Sequence, residues 1–139
     1  MGQYTHNLDQ KNRLQIPAKM RAELGDSFVL TLSPSGERCL LAYPFEEWDL
    51  VMENLASETP TRDTMLRQRK IYMNTDKIDL DSQGRMTIPS RFMEKAGFKQ
   101  EVFMLGCGSH LELWDTAEQQ KMLEDDGETM DNQVTYYIR

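Results

Sequence analysis

The chain has 139 residues, 39% hydrophobic and 28% charged, a length and balance that fit one ordinary domain or two small units sharing a core. This excludes a multidomain enzyme and an intrinsically disordered chain, and a chain of this size buries about 68–70% of its unfolded surface without disulfide or metal staples. The net charge of −7, taken alone, argues against a nucleic-acid partner.

The charge is unevenly spread. Residues 112–133 hold Glu112, Asp115, Glu118, Glu124, Asp125, Asp126, Glu128 and Asp131 against Lys121 alone, so the whole net charge resides there and the remainder sums to zero. Within that remainder two segments are basic. Residues 1–21 carry Lys11, Arg13, Lys19 and Arg21 against Asp9, and residues 62–70 carry Arg62, Arg67, Arg69 and Lys70 against Asp63. Cys39 and Cys107 are too few for a disulfide framework, which points to a reducing cytosol and to cysteines that act as small buried hydrophobes. No apolar run approaches the ~20 residues of a membrane helix, and the N-terminus has no signal-peptide character, so a location inside the cell is expected.

An internal repeat organises the chain. Leu8-Asp9-Gln10-Lys11-Asn12-Arg13-Leu14-Gln15-Ile16-Pro17 reads against Leu80-Asp81-Ser82-Gln83-Gly84-Arg85-Met86-Thr87-Ile88-Pro89, and the match continues through Lys19 with Arg91, Met20 with Phe92 and Gly25 with Gly97. Each unit reads as strand, turn, strand, short helix, strand, turn, strand and closing helix. Asn12 and Gly84 share the slot of a tight hairpin turn, because both accept positive φ readily. Pro17 and Pro89 suit the first position of a short helix, and Gly25 and Gly97 suit its end. Met20 with Leu24, and Phe92 with Ala96, lie four apart and should face the core.

Phe28 to Leu32 and Cys39 to Tyr43 follow as strands around the turn Ser33-Pro34-Ser35-Gly36; Val102 to Leu105 and His110 to Trp114 repeat them around Gly106-Cys107-Gly108-Ser109. The closing helices are predicted to begin at Pro44, with Phe45, Trp48, Met52 and Leu55 at helical spacing, and at Thr116, with Gln119 completing a capping box. Between the units, Thr59-Pro60-Thr61 breaks the chain and Asp63 to Lys70 reads as a basic linking helix. Ile71, Met73 and Thr75, then Ile78 and Leu80, alternate as strands do. Val134, Tyr136 and Ile138 alternate near the C-terminus, with no assigned role.

The doubled Asp-x-x-x-Arg with downstream Ile-Pro, the glycine after each short helix and Trp114 closing the second unit together resemble the MraZ family, over nearly the whole chain. The resemblance implies an α+β, mainly β fold: two pseudo-symmetric swapped-hairpin modules of AbrB/SpoVT type forming one β-barrel with short flanking helices. The boundaries expected are a first module at 4–57, a linking helix at 58–73, a second module at 74–126 and a polar tail at 127–139. It further implies a cytoplasmic, nucleoid-associated transcriptional regulator of the division and cell-wall gene cluster, assembled as a ring homo-oligomer on double-stranded DNA with short G-rich direct repeats near its own operon. The chain departs from the family at Asn12, where glycine is usual, and at Met93, where AbrB relatives carry an arginine that the first copy keeps as Arg21. Unequal DNA contacts of the two modules are therefore expected.

For a lone Asp-x-x-x-Arg the simplest reading is structural: the acid pairs with the arginine across the turn, contributing ~0–1 kcal/mol if exposed. With the family resemblance, Asp9 and Asp81 are expected to orient Arg13 and Arg85 toward guanine O6 and N7, a bidentate contact worth about 1–3 kcal/mol of base discrimination. Lys11, Lys19, Arg21 and Arg91 are expected at phosphates, which adds affinity and salt dependence without sequence choice. Catalysis and cofactors are not expected. Cys107-x-x-His110 has the spacing of two zinc ligands, but the sequence offers no second pair. The alternatives are an AbrB-type antitoxin that also neutralises a partner protein, and an oligomeric scaffold that does not bind DNA.

Overall fold

The computed structural model describes residues 2–124. The first unit contains β1 (Gln3–Asn7), β2 (Arg13–Gln15), α1 (Ala18–Leu24), β3 (Ser27–Leu32), β4 (Cys39–Tyr43) and α2 (Phe45–Ala56). After α3 (Arg62–Met73) the same order returns as β5 (Thr75–Asp79), β6 (Arg85–Thr87), α4 (Ser90–Ala96), β7 (Glu101–Gly106), β8 (Leu111–Asp115) and α5 (Thr116–Glu124).

The two units interlock. The larger sheet has six antiparallel strands in the order β1-β7-β8-β4-β3-β5, and β2 pairs with β6 in a separate two-stranded ribbon. Exchanging the two halves of the chain maps this order onto itself, which is a pseudo-twofold arrangement. Only β3–β4 and β7–β8 pair within a unit; β1–β7, β3–β5, β4–β8 and β2–β6 all pair across units. The fold is mixed α+β, its strands arranged in these two sheets.

The two Asp-x-x-x-Arg turns are therefore not ordinary hairpins. The Asp9 N–H donates to the Arg13 carbonyl at 3.0 Å and the Asn12 N–H to the Asp9 carbonyl at 3.1 Å; Asp81, Arg85 and Gly84 repeat both bonds at 3.0 Å. Beyond this rung the strands diverge, β1 to β7 and β2 to β6. The Ile16 N–H then donates to the Gly84 carbonyl at 3.1 Å and the Ile88 N–H to the Asn12 carbonyl at 3.0 Å, so each turn also closes against the other unit.

One core serves both units. Leu14, Ile16, Met20 and Phe28 of the first and Met86, Ile88, Phe92 and Met104 of the second are buried in a single cluster. The pairs Met20 with Leu24 and Phe92 with Ala96 face it as their spacing predicts. Cys39, Leu41 and Trp114 form a smaller cluster packed by Tyr43, Phe103 and Met122.

Several boundaries differ from the sequence expectation. Pro17, Pro44 and Pro89 sit one residue before their helices, with ψ of 145°, 151° and 142°, because a residue outside the helix keeps extended ψ. Ile71 and Met73 end α3 instead of opening a strand: a reciprocal Thr61–Thr64 capping box fixes its start, and the Asn74 side chain donates to the Lys70 carbonyl at 2.7 Å at its end. A short apolar alternation fits the last turn of a helix as well as a strand. At α5 the buried Asp115 accepts the Ala117 N–H at 3.1 Å and the Lys99 N–H at 3.1 Å, taking the capping role expected of Thr116 and Gln119. Val134, Tyr136 and Ile138 lie outside the described residues.

The repeated turns are not equivalent. Asn12 has φ 58° and is exposed; Gly84 has φ 76° and is buried beneath the Arg21 guanidinium. A side chain at Gly84 would overlap Arg21 Nη1 in addition to straining the left-handed backbone. Urea unfolding at fixed protein concentration should show Gly84→Ala destabilised by about 1–2 kcal/mol, and Asn12→Gly within about 0.5 kcal/mol of the parent.

Candidate nucleic-acid interface

The β2–β6 ribbon brings the two repeated arginines together. Its register sets Arg13 opposite Thr87, Leu14 opposite Met86 and Gln15 opposite Arg85. Leu14 and Met86 are fully buried, so by the two-residue period of a strand Arg13, Gln15, Arg85 and Thr87 share the outer face. Arg13 and Arg85 are diagonal neighbours there, a relation that places residues roughly 7–8 Å apart in an antiparallel pair.

Each guanidinium is held at one edge only. Asp9 Oδ1 accepts the Lys11 and Arg13 backbone N–H groups at 2.8 and 2.9 Å, and Asp9 Oδ2 accepts Arg13 Nε at 2.6 Å. Asp81 does the same: Oδ1 accepts the Gln83 and Arg85 N–H groups at 2.9 Å and Oδ2 accepts Arg85 Nε at 2.8 Å. With Nε engaged, both Nη groups of each arginine have no partner among the described residues and extend from side chains that are 28% and 25% exposed. The aspartates also offset the repulsion of two like charges on neighbouring strands. Backbone hydrogen bonding from Arg13 leads the effects that hold the Asp9 carboxyl down at about 2, and that from Arg85 likewise lowers Asp81. The structural and orienting readings of the Asp-x-x-x-Arg pair thus coincide in one geometry.

Of the expected phosphate-contacting residues, Lys11 and Lys19 are exposed, on the first turn and on α1, and their ammonium groups make no ion pair among the described residues. Arg21 lies over the Gly84 turn, so a residue of the first unit joins the hairpin of the second. Arg91 is exposed but makes contacts within the protein. Its Nη1 donates to the Met73 carbonyl at 2.7 Å, its Nη2 to Asp76 Oδ2 at 2.7 Å, and its guanidinium lies 4.6 Å from the Phe92 ring centroid. Through these Nη contacts Arg91 fastens α4 to the α3–β5 junction.

Gln15 was not singled out in the sequence. Its amide donates to the Gln83 carbonyl at 2.9 Å and more weakly to Gly84 at 3.3 Å, tying the first strand of the ribbon to the opposite turn. The signal available was the breakdown of the repeat at this position: Gln15 aligns with Thr87, as Arg21 aligns with Met93. Shorter side chains cannot span to the partner turn, so the second hairpin carries both extra contacts.

Neither cysteine is poised for nucleophilic chemistry. Burial pushes the Cys39 thiol up to about 12 and the Cys107 thiol to about 11, with the Glu112 charge adding to both, so each is protonated at neutral pH. Cys39 is buried as expected, whereas Cys107 is only half-buried. Among the described residues, no helix is long and apolar enough to cross a membrane.

The sequence matches the family described as "MraZ protein, putative antitoxin-like" twice, over residues 1–68 and 71–135. The chain belongs to the MraZ family. It is 39% identical over 117 residues to the transcriptional regulator MraZ of Limosilactobacillus fermentum, covering 83% of this chain and 80% of that protein. The proteins of the same description from Syntrophomonas wolfei and Alkaliphilus oremlandii are 38% identical over 117 residues and 35% identical over 133 residues; the latter match covers 94% of this chain and 91% of that relative. The two family matches fall on the two interlocked units.

The Asp9 geometry has a pH signature. A carboxyl lowered from 3.8 to about 2 stabilises the folded turn fully above pH 4, and that contribution fades as pH falls toward 2. Proton NMR should therefore keep the Arg13 Nε–H resonance in its bonded position at pH 4 and lose it on approach to pH 2. In an Asp9→Asn variant the change should be absent because there is no carboxylate to protonate.

Proposed function

We propose that the protein is a sequence-specific, DNA-binding transcriptional regulator that reads guanine-containing sites with Arg13 and Arg85. The observation that carries this reading is the pair of guanidiniums on the outer face of one ribbon, each gripped by aspartate at Nε and open at both Nη groups. A two-stranded β-ribbon fits the major groove of B-DNA, and the open edge of a guanidinium matches O6 and N7 of guanine. Lys11, Lys19 and Arg21 flank the ribbon as phosphate contacts, and the exposed Arg91, tied to Asp76, adds a further one. The names of the relatives support regulation of transcription, and a cytoplasmic, nucleoid-associated location follows from that role.

The same reading places the protein in a ring homo-oligomer on G-rich direct repeats. Support comes from α3, none of whose residues is buried among the described residues, with Leu66, Tyr72 and Met73 exposed at 47%, 57% and 61%. Leu50 of α2 is exposed at 53%. A second copy covering this surface would hide the apolar residues, and weak single sites on one rim would gain from effective concentration. The −7 chain then binds DNA through one basic face.

Titration of DNA carrying G-rich direct repeats against scrambled DNA tests the reading. Arg13→Ala or Arg85→Ala should cost about 1–3 kcal/mol, roughly 5- to 150-fold in Kd, and erase the preference for the repeats while the oligomer persists. Lys11→Ala should weaken binding to both DNAs equally and reduce the slope of log K against log salt by about 1. Unchanged DNA affinity in a folded Arg13→Ala, Arg85→Ala double variant would overturn the mechanism and favour the scaffold. The antitoxin-like description of the family supports one second reading, separated by a stoichiometric protein partner that neutralises the regulator's DNA binding or is itself neutralised.

A further inference from the structure

The β7–β8 turn gathers a chemical cluster that the ribbon does not use. Cys107 and His110 bracket the turn, whose Cys107 N–H donates to the His110 carbonyl at 2.8 Å around Gly108 at φ 85°. Glu112 is the second residue of β8, and His110 is the turn residue just before that strand. The Cys107 sulfur, a His110 ring nitrogen and a Glu112 carboxylate oxygen all lie within 4.8 Å of one another. A thiolate, an imidazole and a carboxylate are donors that zinc takes together at 2.0–2.3 Å in tetrahedral geometry, to which this cluster contracts by small side-chain adjustments.

We propose that Cys107, His110 and Glu112 bind one zinc(II) ion per chain, with the fourth position left to water. The surroundings of the cluster fit this assignment. Ser109 Oγ is 2.9 Å from His110 Nδ1, which leaves Nε2 for the ion, and Trp114 Nε1 donates to Glu112 Oε1 at 3.0 Å, which leaves Oε2. Such outer partners fix the orientation of metal ligands. The Tyr43 ring stacks on His110 with centroids 4.8 Å apart and planes at 25°, holding the imidazole from the other side.

Charge is the second independent observation. Glu112 is half-buried and makes no ion pair among the described residues; its hydrogen bond is to an indole, and its negative charge bears on Cys39, Tyr43 and Cys107. A bound cation neutralises that carboxylate and stabilises the thiolate at once. His110 and Ser109 also border a cavity of about 410 Å³ that Glu46 and Glu47 of α2 help to line. Sequence spacing shows only Cys107-x-x-His110. The third ligand emerges only from the fold, which brings the Glu112 carboxylate of β8 beside the turn.

Cobalt(II), titrated into the reduced 139-residue chain, is the probe. The expected result is one ion per chain, an absorption band of thiolate-to-cobalt charge transfer, displacement of the band by zinc(II), and a higher Tm with zinc(II) than without. Cys107→Ser should abolish the band, Glu112→Gln should weaken binding at least tenfold, and Ser109→Ala should keep the band with affinity lower by about 10–100-fold. Circular dichroism matching the parent qualifies each variant, and the parent's own spectrum decides if a variant fails to fold. No thiolate band in the parent, a band that survives Cys107→Ser, or a band lost in Cys39→Ala would overturn the assignment, as would cobalt binding indifferent to Glu112→Gln.

Discussion

The pairing of strands between repeats is the constraint on which the rest of the structure depends. A β2 or β6 strand of three residues has no stability alone, and each finds its partner only in the other unit. Once paired, the register puts Leu14 and Met86 into the common core and leaves Arg13 and Arg85 side by side on the outside. The hydrophobic core and the arginine face are thus two sides of the same backbone pairing. A slip of one residue would exchange them, burying guanidiniums and exposing Leu14 and Met86, and the cost of that exchange holds the register.

Electrostatics works here on two scales. Over the whole chain the excess is acidic, concentrated beyond residue 112, and would repel a polyanion. Over the few ångströms of each turn, an aspartate accepts two backbone N–H groups and the adjacent Nε, and the arginine becomes a preoriented donor instead of a mobile cation. Local hydrogen bonding, not net charge, sets how these guanidiniums are presented. The same competition between scales operates at Arg91, a cation by composition whose Nη groups donate to Met73 and Asp76 while its guanidinium lies over the Phe92 ring.

The features legible in the sequence were those that repeat or that act within one turn. The doubled Leu-Asp-x-x-x-Arg, the Ile-Pro at each short helix and the apolar pairs Met20 with Leu24 and Phe92 with Ala96 led directly to the element order and the core. The features that escaped were contacts between residues distant in the chain. Gln15 reaching Gln83, Arg21 covering Gly84 and Arg91 reaching Asp76 cannot be read from spacing, although the first two stand where the repeat is imperfect. The end of α3 escaped for a different reason: Ile71 and Met73 alternate over too few residues to separate a helix end from a strand.

By itself, the sequence determined the two repeats, their secondary elements, the turn residues, the partnering of each arginine with its own aspartate and, through resemblance, the MraZ family. These rest on interactions within about four residues or on self-similarity, and both are written in linear order. Only the tertiary structure decided that four of the six strand pairings cross between units, that the two hairpins differ because Arg21 covers one of them, and that Glu112 joins Cys107 and His110. Those depend on which distant backbone supplies the missing hydrogen bonds, a choice settled by burial of the shared core.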